Sequence, residues 1–158
     1  MTDERKKQYT LRITQANKTQ MITILYEMVI DYIRDAEDAM SLGQSDKVDI
    51  SISHAQCCID ELIRSVNLRL ELGRNLHSIY IFSKKELMIA GISRSINRLW
   101  RVEQNFKTLC SAYREIEKSD TSRSTMDNTQ RVYAGLTYGK NSLNEDVTAL
   151  SMNRGYMA

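Results

Sequence analysis

The sequence contains no proline, and only three of its six glycines, Gly43, Gly73 and Gly91, precede residue 130. Proline breaks a helix, and an interior glycine costs about 1 kcal/mol relative to alanine. The scarcity of both residues therefore permits long helices over roughly the first hundred residues. Because glycine is favoured just beyond a helix end, we expect these three glycines to separate four helices.

Long hydrophobic runs and an excess of one charge are also missing. No segment reaches eighteen consecutive apolar residues, and residues 1–7 are not followed by an apolar run of the signal-peptide type. We therefore expect a cytoplasmic protein without direct membrane insertion. The 22 basic and 20 acidic residues give a net charge of +2 and are mixed along the chain, which argues against a nucleic-acid-binding protein with a basic face.

Cysteine is scarce and odd in number. Cys57, Cys58 and Cys110 are expected to be reduced and largely buried, since they form no recognisable disulfide framework. His54 lies within one helical turn of two of them, so a metal- or thiol-responsive regulatory bundle remains an alternative. A structural zinc site normally needs four ligands with paired spacing, so we expect no metal and no cofactor.

Motifs for catalysis are lacking. The sequence has no glycine-flanked serine, no phosphate-binding glycine loop and no Glu-x-x-His pair of the di-iron bundles. Adjacent acids such as Glu37 and Asp38 are typical of a solvated helix face. We therefore predict a protein that is not an enzyme and has no catalytic residues.

Apolar residues at helical spacing are what the sequence does contain. Between the first two glycines they recur at steps of four and three, at Val48, Ile52, Ala55, Ile59, Leu62 and Val66. The preceding segment is apolar on both sides, at Met21, Ile24, Leu25 and Met28 and again at Ile22, Tyr26, Val29, Ile30 and Ile33. This first long helix must be buried on more than one face, which predicts an apolar groove beside it.

The pattern predicts an all-α protein, an antiparallel four-helix bundle with helices over residues 19–42, 45–70, 74–90 and 93–117. Asn17 or Thr19 is expected to cap the first helix, and Ser45 or Asp46 the second. Residues 1–18 are expected to form a short N-terminal arm, and residues 118–158 a flexible polar tail with a short aromatic motif.

Several short sequences occur in a characteristic order, namely Ile13-Thr14-Gln15-Ala16, Leu25-Tyr26-Glu27, Ala55-Gln56, Glu61-Leu62, and Asn75-Leu76 followed by Tyr80. Taken together, they resemble the flagellar secretion chaperones of the FliS family. Tyr9 stands where that family carries its N-terminal tyrosine. The resemblance covers residues 9–117, which is the whole predicted bundle.

This resemblance implies a cytoplasmic export chaperone. Such a protein binds the disordered C-terminal region of flagellin, prevents premature polymerisation and delivers it to the flagellar type III export gate at the membrane. The residues expected to bind this partner are Tyr9, Ile13, Ile22, Tyr26, Val29, Leu76 and Tyr80.

Alternatives remain for several of these residues. Tyr9 and Ile13 either lie in the groove until flagellin displaces them or belong to an ordinary N-terminal arm. Tyr26 and Tyr80 either form a groove wall or are core tyrosines.

The tail and the oligomeric state add further expectations. Tyr133, Leu136 and Tyr138 form an aromatic motif that is expected to dock on the bundle as a weak, autoinhibitory mimic of the client. We expect a monomer or a weak homodimer. A self-associating structural bundle is the remaining alternative, because exposed apolar helix faces can also pair two copies.

Overall fold

The computed structural model describes residues 1–125, which form five α-helices. These are α1 (Asp3–Gln15), α2 (Lys18–Ser41), α3 (Ser45–Ser65), α4 (Glu71–Ser93) and α5 (Ile96–Glu117). Helices α2 to α5 form a four-helix bundle in which each helix packs against the next and α5 returns to α2, while α1 packs against α2. The predicted all-α four-helix bundle is confirmed, and the predicted N-terminal arm contains a helix of its own.

Ion pairs between neighbouring helices show that the helices alternate in direction. They are Asp49 with Arg94 and Asp60 with Lys84 between α3 and α4, Glu86 with Arg98 between α4 and α5, and Arg34 with Glu103 and Glu27 with Arg114 between α2 and α5. In each helix pair with two bridges, the earlier residue of one helix meets the later residue of the other. This is the antiparallel arrangement expected for helices joined by short turns.

The core is built from the inward faces of α2 to α5. Its fully buried side chains include Val29 and Ile33 from α2, Ile59 and Leu62 from α3, Leu87 from α4, and Leu99 and Phe106 from α5. The spacing of four and three predicted for α3 is confirmed, since the apolar residues of that pattern are buried at Val48, Ile52, Ala55, Ile59 and Leu62. Burial of such side chains, each stabilising by about 1.5–3 kcal/mol, drives the assembly of these helices.

Glu103 is a charged residue on the buried side of α5. Its carboxylate accepts hydrogen bonds from Arg34 at 2.8 Å and from Lys107 at 2.7 Å. Burial opposes ionisation of Glu103, but the hydrogen bonds from Lys107 and Arg34 outweigh it and lower the pKa of this carboxyl. Glu103 therefore links α5 to α2 through its ion pair with Arg34.

Only one of the three glycines lies between helices. Gly43 has φ +66° in the turn between α2 and α3, where a left-handed residue is needed. Gly73 and Gly91 lie inside α4, so the helix limits predicted from them are wrong, and α3 ends at Ser65 rather than at residue 70. Gly73 is required by a close contact, because a Cβ there would lie 2.0 Å from the carbonyl oxygen of Asn67.

The two predicted helix starts have different outcomes. Asn17 caps α2, since its side-chain oxygen accepts from the Gln20 amide at 2.8 Å while the Gln20 side chain accepts from the Asn17 amide at 3.0 Å. This is a capping box, and the prediction of Asn17 is confirmed. The prediction of Ser45 or Asp46 is wrong, because α3 begins directly after Gln44 without a side-chain cap.

Replacing Gly73 by alanine should destabilise the protein by about 1–3 kcal/mol, because the backbone carbonyl of Asn67 must move to admit a methyl group. Gly91→Ala is the matched control. Its Cβ would meet only the Cδ1 atom of Ile52 at 3.1 Å, and alanine is favoured over glycine in a helix by about 1 kcal/mol. Urea unfolding measures both, and equal stabilities for the two variants would contradict the prediction.

Candidate functional site

Helix α1 is a polar helix that is attached to the outer side of α2. It starts after Thr2, whose side chain accepts a hydrogen bond from the Arg5 amide. Acidic residues in its first turn stabilise it through their interaction with the positive end of the helix dipole. Tyr9 is the buried residue of this helix. Together with Ala16 and Ile24 it forms a second apolar cluster, separate from the main core, against which Ile13 packs.

The second apolar face of α2 is thus covered by the chain's own N-terminal helix. We call the surface beneath it the α1 site, and its members on α2 and α5 are Ile24, Glu27, Met28, Asp31 and Arg114. A cleft of about 490 Å³ opens between α1, α2 and α5, and most of its lining residues are polar or charged. The groove expected beside the first long helix is present, but its lining is not the apolar one that was predicted.

Asp31 is the first of two carboxylates that hold α1 on α2. The hydroxyl of Tyr9 donates to Oδ2 of Asp31 at 2.6 Å, and the guanidinium of Arg5 contacts the same carboxylate at 2.9 and 3.1 Å. The side chain of Asp31 is only 7% exposed. Burial, then the hydrogen bond to Asp31 and its charge, raises the pKa of Tyr9 well above its usual range, so the phenol remains a donor.

Glu27 is the second carboxylate, and it joins three helices. It accepts hydrogen bonds from Arg12 of α1 at 2.5 Å and from Arg114 of α5 at 2.8 Å. Partial burial opposes ionisation of Glu27, but the hydrogen bonds from Arg12 and Arg114 outweigh it and lower the pKa of this carboxyl. Glu27 and Asp31 lie four residues apart on α2, which places them on one helix face.

An uncovered apolar surface lies on α4, not on α2. We call it the α4 outer face, and it consists of Ile81, Phe82, Met88, Ile89 and Ile92. Four of these side chains are 48–81% exposed, although the opposite side of the same helix is buried in the core. A helix that is apolar on both sides normally needs a partner on each, and exposed apolar patches mark interaction sites.

A groove between α4 and α5 continues this surface. It has a volume of about 410 Å³ and is lined by Ser78, Ile79, Phe82, Asn105, Thr108 and Leu109. Because Phe82 belongs both to this groove and to the α4 outer face, the two form one continuous apolar area. The sequence did not indicate it, since apolar residues on both sides of α4 leave only a weak helical period.

The structure places the other predicted binding residues mainly in the interior. Tyr26, Val29 and Tyr80 are fully buried, Leu76 is also in the core, and Ile22 packs half-buried against it. The hydroxyls of Tyr26 and Tyr80 are 2.5 Å apart, and burial raises the pKa of Tyr80 to about 12. In this conformation the two tyrosines are core residues. Contact of these five residues with a partner stays a prediction.

The segment after α5 contacts the turn between α1 and α2. The amide of Thr125 donates to the carbonyl of Ala16 at 2.9 Å, and the side-chain amide of Asn17 donates to the carbonyl of Ser122 at 3.3 Å. Residues 119–125 therefore help to cover this turn. The predicted tail motif, Tyr133, Leu136 and Tyr138, lies outside the described residues, and its docking stays a prediction.

The cysteines and histidines show no arrangement suited to a metal. Among residues 1–125, no three potential ligands lie close enough together to hold a metal ion. His54 packs against the ring of Tyr32, while burial raises the pKa of Cys58 to about 12. The expectation of largely buried cysteines is wrong for Cys57, which is exposed. Within the same residues, no helix is both long and apolar enough to cross a membrane.

Glu27→Gln should loosen α1 at neutral pH, because an amide holds Arg12 less strongly than a carboxylate does. A lowered pKa means that the contribution of Glu27 is complete above its unfolded pKa of about 4.3 and is lost as the pH falls through the folded value. The difference in amide-exchange protection of α1 between the two proteins should therefore disappear at strongly acidic pH.

Glu61→Gln is the control for this prediction, since Glu61 is an exposed carboxylate on α3 that pairs with Arg64. It should leave the protection of α1 unchanged at every pH. A difference between the wild type and Glu27→Gln that stays constant down to pH values well below the carboxylate range would contradict the prediction.

The family model described as flagellar protein FliS matches residues 1–120, which include all five helices and more than half of the 158 residues. A comparison with curated proteins finds no match to this sequence. The FliS family consists of flagellar export chaperones for flagellin and is not known as a family of enzymes. On the extent of the family match, this chain belongs to the FliS family.

Proposed function

We propose that this protein is a cytoplasmic export chaperone that binds the disordered C-terminal region of flagellin. Binding keeps the region from polymerising early, and the complex is delivered to the type III export gate. Membership of the FliS family supports the role in flagellin export. The structural observation that carries the proposal is the α4 outer face, an apolar surface that the bundle leaves uncovered.

The energetics of a disordered client favour such a surface. A segment that orders on binding gives up about 2–5 kcal/mol of the gross interaction energy, so it must bury a long apolar area. An amphipathic helix presents apolar residues at positions i, i+3, i+4 and i+7 to a groove. The α4 outer face and the adjoining groove between α4 and α5 extend from Ile79 to Ile92 and supply apolar residues on both sides of Lys85.

The α1 site is the second surface in this proposal. Helix α1 has one buried residue, Tyr9, and is attached through the partly buried Ile13 and through hydrogen bonds and ion pairs. If the client displaces Tyr9 and Ile13, it gains the apolar surface around Ile24 and Met28. The client then covers α2 and α4 in turn, which a long flexible chain can do and a folded domain cannot.

Self-association through the α4 outer face is the competing use of the same surface. An isologous contact centred on this face would bring Lys85, which lies in its middle, close to Lys85 of the second copy. Like charges in such a position oppose pairing. We therefore propose that the client, not a second copy, covers this face, and that the chaperone is a monomer in its complex.

Flagellin that lacks its C-terminal region should fail to co-purify with this protein, whereas full-length flagellin should co-purify as a soluble complex. The reason is that the proposed contact requires a disordered segment able to order along the helix faces. Size measurement of the chaperone with and without flagellin checks the stoichiometry. Retention of the truncated flagellin at full affinity would contradict the proposal.

Combining Phe82→Asp with Ile92→Asp should weaken flagellin binding about tenfold or more, because both changes put a carboxylate into the proposed contact. Leu42→Asp is the matched control, since Leu42 is 69% exposed but caps the C-terminal end of α2 and is not part of the α4 outer face. All three side chains are exposed, so thermal unfolding should change little. Equal binding by the double variant and the control would show that α4 is not the contact.

A further inference from the structure

The polar contacts beneath α1 follow helical spacing on both sides. Arg5, Tyr9 and Arg12 are separated by four and three residues, so they share one face of α1. That face meets Glu27 and Asp31, which are four residues apart on α2. Two carboxylates of α2 are thus matched by three hydrogen-bond donors of α1.

Among the described residues, Asp31 has both of its side-chain donors on α1. Other charged groups of this surface have partners on α2 or α5, since Arg114 pairs with Glu27, and Arg34 and Lys107 pair with Glu103. Asp31, in contrast, receives the side-chain hydrogen bonds shown among residues 1–125 from Arg5 and Tyr9, both of which lie on α1. Removal of α1 therefore takes away both donors from this carboxylate.

An unpaired carboxylate at this position penalises an incoming segment that is merely apolar. The side chain of Asp31 is almost completely buried, and covering it again without a donor would leave a charged acceptor unsatisfied. A segment that replaces α1 avoids this penalty only by bringing a hydroxyl or cationic donor to the same place. Hydrogen bonds to a charged group are among the strong ones in proteins.

The apolar contacts of α1 define the rest of the pattern. Tyr9 and Ile13 of α1, and Ala16, which caps its C-terminal end, lie at positions i, i+4 and i+7 and pack with Ile24 of α2. The donor at Tyr9 and the apolar residues that follow it belong to one helical stripe. The surface beneath α1 therefore combines one polar requirement with an apolar strip.

We propose that the α1 site recognises amphipathic helices that place a hydroxyl- or guanidinium-bearing side chain on Asp31 and carry apolar residues four and seven positions further on. Helix α1 is the resident example of this pattern. The inference rests on the proposed function in so far as a partner displaces α1, and it adds the chemistry that the displacing segment must have.

The test uses the full-length chain with Arg5→Ala and Tyr9→Ala, which weaken its own α1 and leave α2 unchanged. The probe is a fluorescent synthetic peptide of residues 1–17. Its binding is compared by anisotropy with that of a peptide in which Arg5→Met and Tyr9→Phe remove both donors. The unchanged peptide should bind about tenfold more tightly or better.

A second protein carries Asp31→Asn in addition to Arg5→Ala and Tyr9→Ala, which completes a double-mutant cycle between this carboxylate and the donors of the peptide. The two peptides should then bind with affinities within about threefold of each other, because the charged acceptor is gone. Equal binding of the two peptides to the protein with Asp31 overturns the inference. So does absence of binding by the unchanged peptide, or discrimination that persists after Asp31→Asn.

Amide exchange in a single full-length variant tests the same contact without a peptide, and its exchange in α5 reports whether the bundle is still folded. In the full-length protein with only Arg5→Met and Tyr9→Phe, amide exchange in α1 should accelerate about tenfold or more while α5 is unaffected. Unchanged exchange in α1 overturns the inference. None of these experiments contains flagellin, so loss of flagellin binding would count against the proposed function alone, and failure of peptide discrimination against this inference alone.

Discussion

The structure depends on one constraint, which is that α2 is apolar on two sides and both must be covered. One side forms the core with α3, α4 and α5, where Tyr26, Val29 and Ile33 are buried. The other side cannot reach that core and is covered by α1 through Tyr9 and Ala16. A four-helix bundle normally leaves one face of each helix for water, so the fifth helix exists because of this second face. The separate cluster that results is small, so α1 is held by fewer buried side chains than α2 to α5 are.

The two surfaces of the protein therefore differ in kind. The α4 outer face is apolar and open, so its affinity for a partner comes mainly from area. The α1 site is occupied, and its contacts are directional, since Asp31 and Glu27 accept hydrogen bonds from fixed positions on α1. Buried carboxylates distinguish partners more sharply than apolar contacts do, because a wrong partner leaves them unpaired. In the proposed function, the open apolar surface would hold a long chain with little selectivity, and the α1 site would recognise only part of it.

The sequence predicted most of the fold and less of the surface. Strict spacing in α3 and two apolar sides in α2 correctly indicated a bundle whose first long helix has more than one buried face. For α4 the use of glycines as helix boundaries failed, because Gly73 and Gly91 both lie inside the helix, where Gly73 permits a close contact with the Asn67 carbonyl. Asp31 and Glu27 were missed as well. A detectable signal existed, since they are two acids four residues apart within the apolar stretch of α2 over residues 21–33, and Arg5, Tyr9 and Arg12 on α1 share one helix face.

The attachment of α1 by polar contacts also bears on how a partner can compete with it. A helix joined to its site by a short turn acts at an effective concentration on the order of millimolar, so a tightly packed α1 would exclude most partners. The apparent affinity of any displacing segment falls in proportion to the fraction of molecules whose site is open. If a partner displaces α1 as proposed, single changes at Tyr9, Ile13, Asp31 or Glu27 would alter that fraction. The contacts of Ser122 and Thr125 with Asn17 and Ala16 add a further restraint at the C-terminal end of α1.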